Sequence, residues 1–190
     1  ANSSIPSNIT CEDQVFDLDF HPTSSILAAG LITGKVELWD FTTHKNTRQS
    51  SLPIHSQSCR ALAFNPSGNR LFTISSDLSW KIVDPTTGNI IQTKKSAHKH
   101  AINKLIVLNE QLFVTGDDNG VVKLWDSRIH PNYLDTMTWD AHSDYITDFD
   151  YAEDQHTVLS TGGDATLCVY DIRNQQHFYK SDDQESELHC

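Results

Sequence analysis

The sequence predicts an all-β protein built from four copies of one antiparallel unit, and three observations carry that prediction. A dipeptide ending in aspartate recurs as Trp39-Asp40, Val83-Asp84, Trp125-Asp126 and Tyr170-Asp171, with steps of 44, 42 and 45 residues between the aspartates. A histidine recurs upstream as His55, His98 and His142 at steps of 43 and 44, each followed four residues later by Cys59, Ile102 or Ile146. Between these markers the residues alternate in period two, the pattern of a strand with one buried face. Two independent markers therefore share one period.

The first unit covers residues 11–52, the second 53–95, the third 96–139 and the fourth 140–190, the last incomplete. Each opens on an alternating strand, as in Val15-Phe16-Asp17-Leu18-Asp19-Phe20 and Ile146-Thr147-Asp148-Phe149-Asp150-Tyr151. Turn residues follow in His21-Pro22-Thr23-Ser24 and Asn65-Pro66-Ser67-Gly68-Asn69. Second strands then read as Ile26-Leu27-Ala28-Ala29-Gly30, Leu71-Phe72-Thr73-Ile74, Leu112-Phe113-Val114-Thr115 and Thr157-Val158-Leu159-Ser160. Gly34, Gly120 and Gly162-Gly163-Asp164 turn the chain into third strands that end on the recurring aspartates. Each unit is a small meander.

Composition bounds the function. The 190 residues are 37% apolar, 9% aromatic and 21% charged, which excludes a disordered or collagen-like chain. No run approaches the roughly 18 apolar residues that span a bilayer, and Ala1-Asn2-Ser3-Ser4-Ile5-Pro6 lacks the pattern of a signal peptide, so no membrane role is expected. The net charge of −11 disfavours a nucleic-acid grip, which needs clustered cations. The acidic run at residues 181–187 reads as a solvated tail. Cys11, Cys59, Cys168 and Cys190 are too sparse for a zinc pattern or a disulfide framework, which fits a reducing compartment. The sequons at Asn2 and Asn8 stand without any other secretory sign.

The period, the histidine near each start and the closing Trp-Asp resemble WD-repeat β-propellers, whose blades are four-stranded sheets of about 40–45 residues. The resemblance implies four consecutive blades of a ring that typically holds seven, hence a fragment; a closed four-bladed ring is the alternative. Departures are Cys11 in place of the first histidine, Val83 in the second closing dipeptide and Tyr170 in the fourth. In that family the histidine bonds an aspartate in the turn before the third strand. The matching pairs are His55 with Asp77, His142 with Asp164, and His98 with the Asp118-Asn119 pair. Histidines at equivalent positions are distributed around a ring, so neither a metal centre nor a cofactor site is expected.

Gly30-Leu31-Ile32-Thr33-Gly34-Lys35-Val36 is one residue too short for a phosphate-binding loop and sits between strands. Without GxSxG, HExxH or paired CxxC, no enzyme is expected. A sharper signal is an arginine two residues beyond the aspartate in Trp125-Asp126-Ser127-Arg128 and Tyr170-Asp171-Ile172-Arg173, where the other blades have Thr42 and Thr86. This resembles the tandem WDxR motif of substrate receptors that dock the damaged-DNA-binding adaptor of cullin-RING ubiquitin ligases. On that reading Trp125, Asp126, Arg128, Tyr170, Asp171 and Arg173 form a partner-binding set; on the other, the arginines brace their own blades.

Cys59-Arg60-Ala61-Leu62-Ala63-Phe64, Ser96-Ala97-His98-Lys99-His100-Ala101-Ile102-Asn103, Thr115-Gly116-Asp117-Asp118-Asn119-Gly120 and the acidic tail are similar to the WD repeat-containing protein 55 family. That resemblance implies a nuclear and nucleolar scaffold, with cytoplasm as a further site. It also implies links to ribosomal RNA processing, to pre-ribosomal factors and to the same ligase adaptor. A ribosome-biogenesis scaffold with no ubiquitin link is the rival expectation.

Overall fold

The computed structural model describes residues 8–41, 46–130 and 137–173, and the backbone of 176–180. The tail at 181–187, Asn2, Thr42 and Cys190 lie outside the described residues. Four antiparallel sheets follow one another along the chain, each in simple sequential order. The first holds β1 (Val15–Phe20), β2 (Ile26–Leu31), β3 (Lys35–Asp40) and β4 (Thr47–Pro53). The second holds β5 (Cys59–Phe64), β6 (Leu71–Ser75), β7 (Trp80–Val83) and β8 (Ile90–Lys94). The third holds β9 (Ile102–Val107), β10 (Leu112–Asp117), β11 (Val121–Asp126) and β12 (Met137–Asp140). The fourth holds β13 (Ile146–Ala152), β14 (Thr157–Gly162), β15 (Leu167–Asp171) and β16 (Gln176–Lys180). These are four blades of an all-β propeller.

The sheets stack because their middle strands are apolar on both faces. Every residue of β6 is buried, and its side chains go alternately to opposite neighbours: Leu71 packs with Val36 and Leu38 of the first blade, Phe72 and Ile74 with Phe113 and Trp125 of the third. A third cluster joins Val114 and Leu124 to Val158 and Tyr170 across the last joint. The core thus lies between blades rather than within one sheet, so a lone blade could not bury it. The opening strands β1, β5, β9 and β13 meet in succession and form the inner edge.

Each opening strand carries a bulge one residue after its start. The pairing skips Phe16, Arg60, Asn103 and Thr147 in turn. A bulge bends the strand and adds twist, which re-aims the side chains that follow toward the next blade. Adjacent blades stand the same way up. Asn103 donates to the Ile146 carbonyl at 2.7 Å near the starts of β9 and β13, and Ser67 donates to Glu110 at 2.8 Å beyond the ends of β5 and β9. Two rims result: one with the turns before the third strands, the other with the aspartates that close them.

Candidate functional site

On the first rim, each histidine reaches from the loop entering its blade into the middle of the sheet. In the third blade the Trp125 indole N–H donates to Thr115 Oγ1 at 2.8 Å, Thr115 Oγ1 lies 2.7 Å from His98 Nε2, and His98 Nδ1 lies 2.9 Å from Asp117 Oδ2. An ionised carboxylate only accepts, so Nδ1 carries a proton; a neutral ring then takes the Thr115 hydroxyl proton at Nε2. The fourth blade repeats this chain of hydrogen bonds with different atoms. The Tyr170 hydroxyl lies 2.7 Å from Ser160 Oγ, Ser160 Oγ 2.7 Å from His142 Nε2, and His142 Nδ1 2.9 Å from Asp164 Oδ1. Tyrosine replaces tryptophan because each brings one donor on an apolar ring.

In the second blade His55 Nδ1 meets Asp77 Oδ2 at 3.1 Å and Nε2 meets Thr73 Oγ1 at 2.9 Å, but Val83 supplies no aromatic donor. Burial lowers the His55 pKa more than Asp77 raises it, so the ring stays neutral. Burial would push the Asp77 carboxyl up, yet the hydrogen bonds from His55, Ser79 and the Ser56 amide hold it well below the usual range.

The third blade corrects one expected partner. His98 is held by Asp117, not by Asp118 or Asn119, which are both exposed. The turn position that Asp77 and Asp164 fill in their blades is taken by Asn119, just before the positive-φ residue Gly120. The carboxylate two residues upstream, at the end of β10, takes its place and also receives the Asn119 and Val121 amides at 3.0 Å. The first blade departs further. Cys11 stands in for the histidine, and the fully buried Glu37 accepts the Trp39 indole N–H at 2.8 Å and Arg48 at 3.0 Å. Burial and this carboxylate push the Cys11 thiol up to about 11, so it stays protonated.

Sequence reasoning missed Thr73, Thr115 and Ser160, although a hydroxyl recurs 18, 17 and 18 residues after each histidine. Glu37 and Arg48 gave no such signal. They belong to one blade only.

On the opposite rim, Asp126 and Asp171 close their third strands. Asp126 sits opposite Leu112 at the far end of β10 from Asp117, and Asp171 sits opposite Thr157 at the far end of β14 from the Asp164 turn. Asp126 Oδ1 accepts the Arg128 amide at 2.9 Å, and Asp171 Oδ1 accepts the Arg173 amide at 2.8 Å. Both guanidinium groups also fold back on these aspartates. Arg128 binds Asp126 at 3.0 Å through Nε and 2.6 Å through Nη2, while Arg173 spans Asp171 more loosely, at 3.3 Å through each. Both side chains nevertheless stay open to water, at 68% and 59% exposure. The arginines brace and face outward at once: Nε and Nη2 of each are engaged, and Nη1 has no partner among the described residues. Trp125 and Tyr170, by contrast, are buried in the relay and present nothing at this rim.

Ser127 has a role the motif did not announce. It receives Arg70 at 3.1 Å on its hydroxyl and Gln92 at 3.0 Å on its carbonyl, tying the second blade to the Arg128 turn.

Four-stranded blades around a common inner edge, closed by histidine-centred relays, define a WD-repeat β-propeller. The chain belongs to the family described as Nucleolar protein 10-like, N-terminal domain, whose model matches residues 52–188, and the WD domain, G-beta repeat, matches residues 5–40. WD repeat-containing protein 55 of Arabidopsis thaliana is 36% identical over 174 residues, covering 91% of this chain and 48% of its own length. The WD repeat-containing protein 55 homolog of Drosophila willistoni is 34% identical over 187 residues, covering 98% of this chain and 36% of its own. The chain thus spans less than half the length of these relatives. A crystal structure of the computationally designed Ika8 protein superposes with a TM-score of 0.76 and 25% identity, covering 90% of this chain and 50% of that one. A repeat scaffold of this family fits a protein-interaction role, and propellers of this kind are generally not catalysts.

Proposed function

We propose that this chain is the part of a non-enzymatic scaffold that docks the damaged-DNA-binding adaptor of a cullin-RING ubiquitin ligase, leaving the rest of the propeller for a client. The observation that carries the reading is the pair of outward-facing guanidinium groups of Arg128 and Arg173 on one rim of adjacent blades. Each aspartate holds its arginine by Nε and Nη2, which pre-orders the side chain and leaves Nη1 for a partner's carbonyl or carboxylate. Pre-ordering lowers the entropy lost on docking. In this reading the scaffold works in the nucleus and nucleolus, and also in the cytoplasm, and serves ribosomal RNA processing, as the sequence resemblance to the WD repeat-containing protein 55 family implies.

A ribosome-biogenesis scaffold without a ligase link, bound to pre-ribosomal factors, is the second reading. The complete engagement of Asp126 and Asp171 by their own arginines favours it, since those bonds have a structural use on their own. Recovery of the adaptor by the tagged full-length protein separates the two. Arg128→Ala with Arg173→Ala abolishes recovery on the first reading while the thermal melt stays in place. Unchanged recovery contradicts it.

A further inference from the structure

We infer, resting on the docking role proposed above, that the second blade positions Arg128 through Ser127, with Arg70 and Gln92 as the positioning residues. Arg128 is then the fixed member of the docking pair and Arg173 the adjustable one.

The turn that carries Arg128 is held on three sides. Ser127 is buried, and its amide donates to the Gln111 carbonyl of its own blade at 2.9 Å. Its hydroxyl accepts Arg70 Nη1 at 3.1 Å and its carbonyl accepts Gln92 Nε2 at 3.0 Å, both from the second blade. Neither of those side chains has another hydrogen bond among the described residues. Arg70 meets no carboxylate there, and Gln92 keeps its Oε1 buried without a partner. An unpaired buried acceptor is costly. The second blade thus commits two polar side chains to one residue of the third.

The next joint offers an internal comparison, because the same positions recur there one blade later. Leu112 faces the closing Asp126 where Arg70 stands one step beyond the Leu71–Val83 pair, and Met137 lies opposite Leu124 as Gln92 lies opposite Ile82. Ile172 follows Asp171 as Ser127 follows Asp126. Leu112, Met137 and Ile172 all pack against one apolar cluster, so a polar lock at the first joint is replaced by an apolar one at the second. Hydrogen bonds fix direction, whereas apolar packing is non-directional.

The two arginines differ in the matching sense. Above the polar lock, Arg128 clamps Asp126 at 3.0 Å through Nε and 2.6 Å through Nη2. Above the apolar lock, Arg173 spans Asp171 at 3.3 Å through each, and the Ile172 amide reaches the His156 carbonyl at 3.2 Å against 2.9 Å for its counterpart Ser127. A guanidinium fixed before contact loses less freedom on binding, and one left loose adapts to the partner's shape.

Phenylglyoxal labelling of the full-length protein, read by peptide mass spectrometry, tests the positioning without the adaptor. The reagent closes a ring across two guanidinium nitrogens, so a clamped arginine must first leave its carboxylate. Exposure alone, 68% against 59%, would make Arg128 the faster to react; the lock makes it the slower. Arg70→Met should raise the Arg128 rate toward that of Arg173 and leave the Arg173 rate unchanged. Gln92→Leu should act in the same direction, and it takes over the test if circular dichroism shows Arg70→Met unfolded. A wild-type Arg128 that reacts as fast as Arg173, or a rate unmoved by these changes, would overturn the inference. Titration with the adaptor adds the functional half. Arg70→Met should weaken binding by about fivefold, and that loss should vanish in an Arg128→Ala background and persist in an Arg173→Ala background. Equal losses in both backgrounds would mean general destabilisation and overturn the positioning role. An adaptor that does not bind the wild type contradicts the docking role alone, and the labelling rates then decide whether the second blade holds Arg128.

Discussion

Individual residues are interchangeable here when they bring the same donor or acceptor to the same point. Tyr170 serves as well as Trp125 because the relay needs one hydrogen on a buried ring, and Asp117 serves for the turn aspartate because its carboxylate reaches the same imidazole nitrogen. The sequence alone ranked Asp118 with Asn119 as the partner, since position in a turn is visible and side-chain reach is not. The contrast yields a prediction. Asp117→Ala should lower the unfolding free energy by about 1–3 kcal/mol, the cost of stranding a buried hydrogen-bonded group, whereas Asp118→Ala, on an exposed side chain, should leave the urea midpoint unchanged. Equal effects would contradict the assignment. Arg128 and Arg173 show the other limit of reading residues one at a time: their spacing from the aspartates was legible, but not that the same fork would be both engaged and exposed.

Within the elements, strand pairing followed directly from alternation and glycine turns, because period two and positive φ are local properties of the chain. Gly120, at φ +80°, is one such turn. The bulges at Phe16, Arg60, Asn103 and Thr147 were not legible, since a skipped residue leaves the local pattern intact and is fixed by contact with the neighbouring blade. Gly162 illustrates a glycine required by packing rather than by a turn. A Cβ there would lie 2.4 Å from His142 Nδ1 and 2.7 Å from Asp164 Oδ1. Gly162→Ala should therefore push the histidine off its partner and cost about 1–3 kcal/mol, a typical overpacking penalty. Thermal melting reads the loss. An unaltered melt would mean that the relay tolerates displacement.

Across the whole molecule the relays make the fold sensitive to acid in a determined direction. His55 has a lowered pKa in the folded chain, so the unfolded chain binds its proton first and stability begins to fall as pH drops below about 6.5, the ordinary histidine value. Asp77 and Asp117 are held below the usual carboxylate range, so what they contribute is intact at neutral pH and is lost at still lower pH as they protonate. Urea midpoints measured from neutral to acid pH should decline in that order, and His55→Gln should remove the earlier part of the decline. A midpoint flat through the histidine range would contradict the neutral buried ring. The repeat architecture was readable because its markers are periodic.

The docking role of the arginine rim is the claim on which the functional account rests, and a binding titration tests it most directly. The purified adaptor is titrated against the full-length protein and against the double variant Arg128→Glu, Arg173→Glu, with far-UV circular dichroism confirming that both are folded. Reversing two exposed charges at a contact of this kind should weaken binding by about 30-fold or more, in the range of an interface hot spot. An affinity that does not change would contradict the account and leave Arg128 and Arg173 as braces of their own blades.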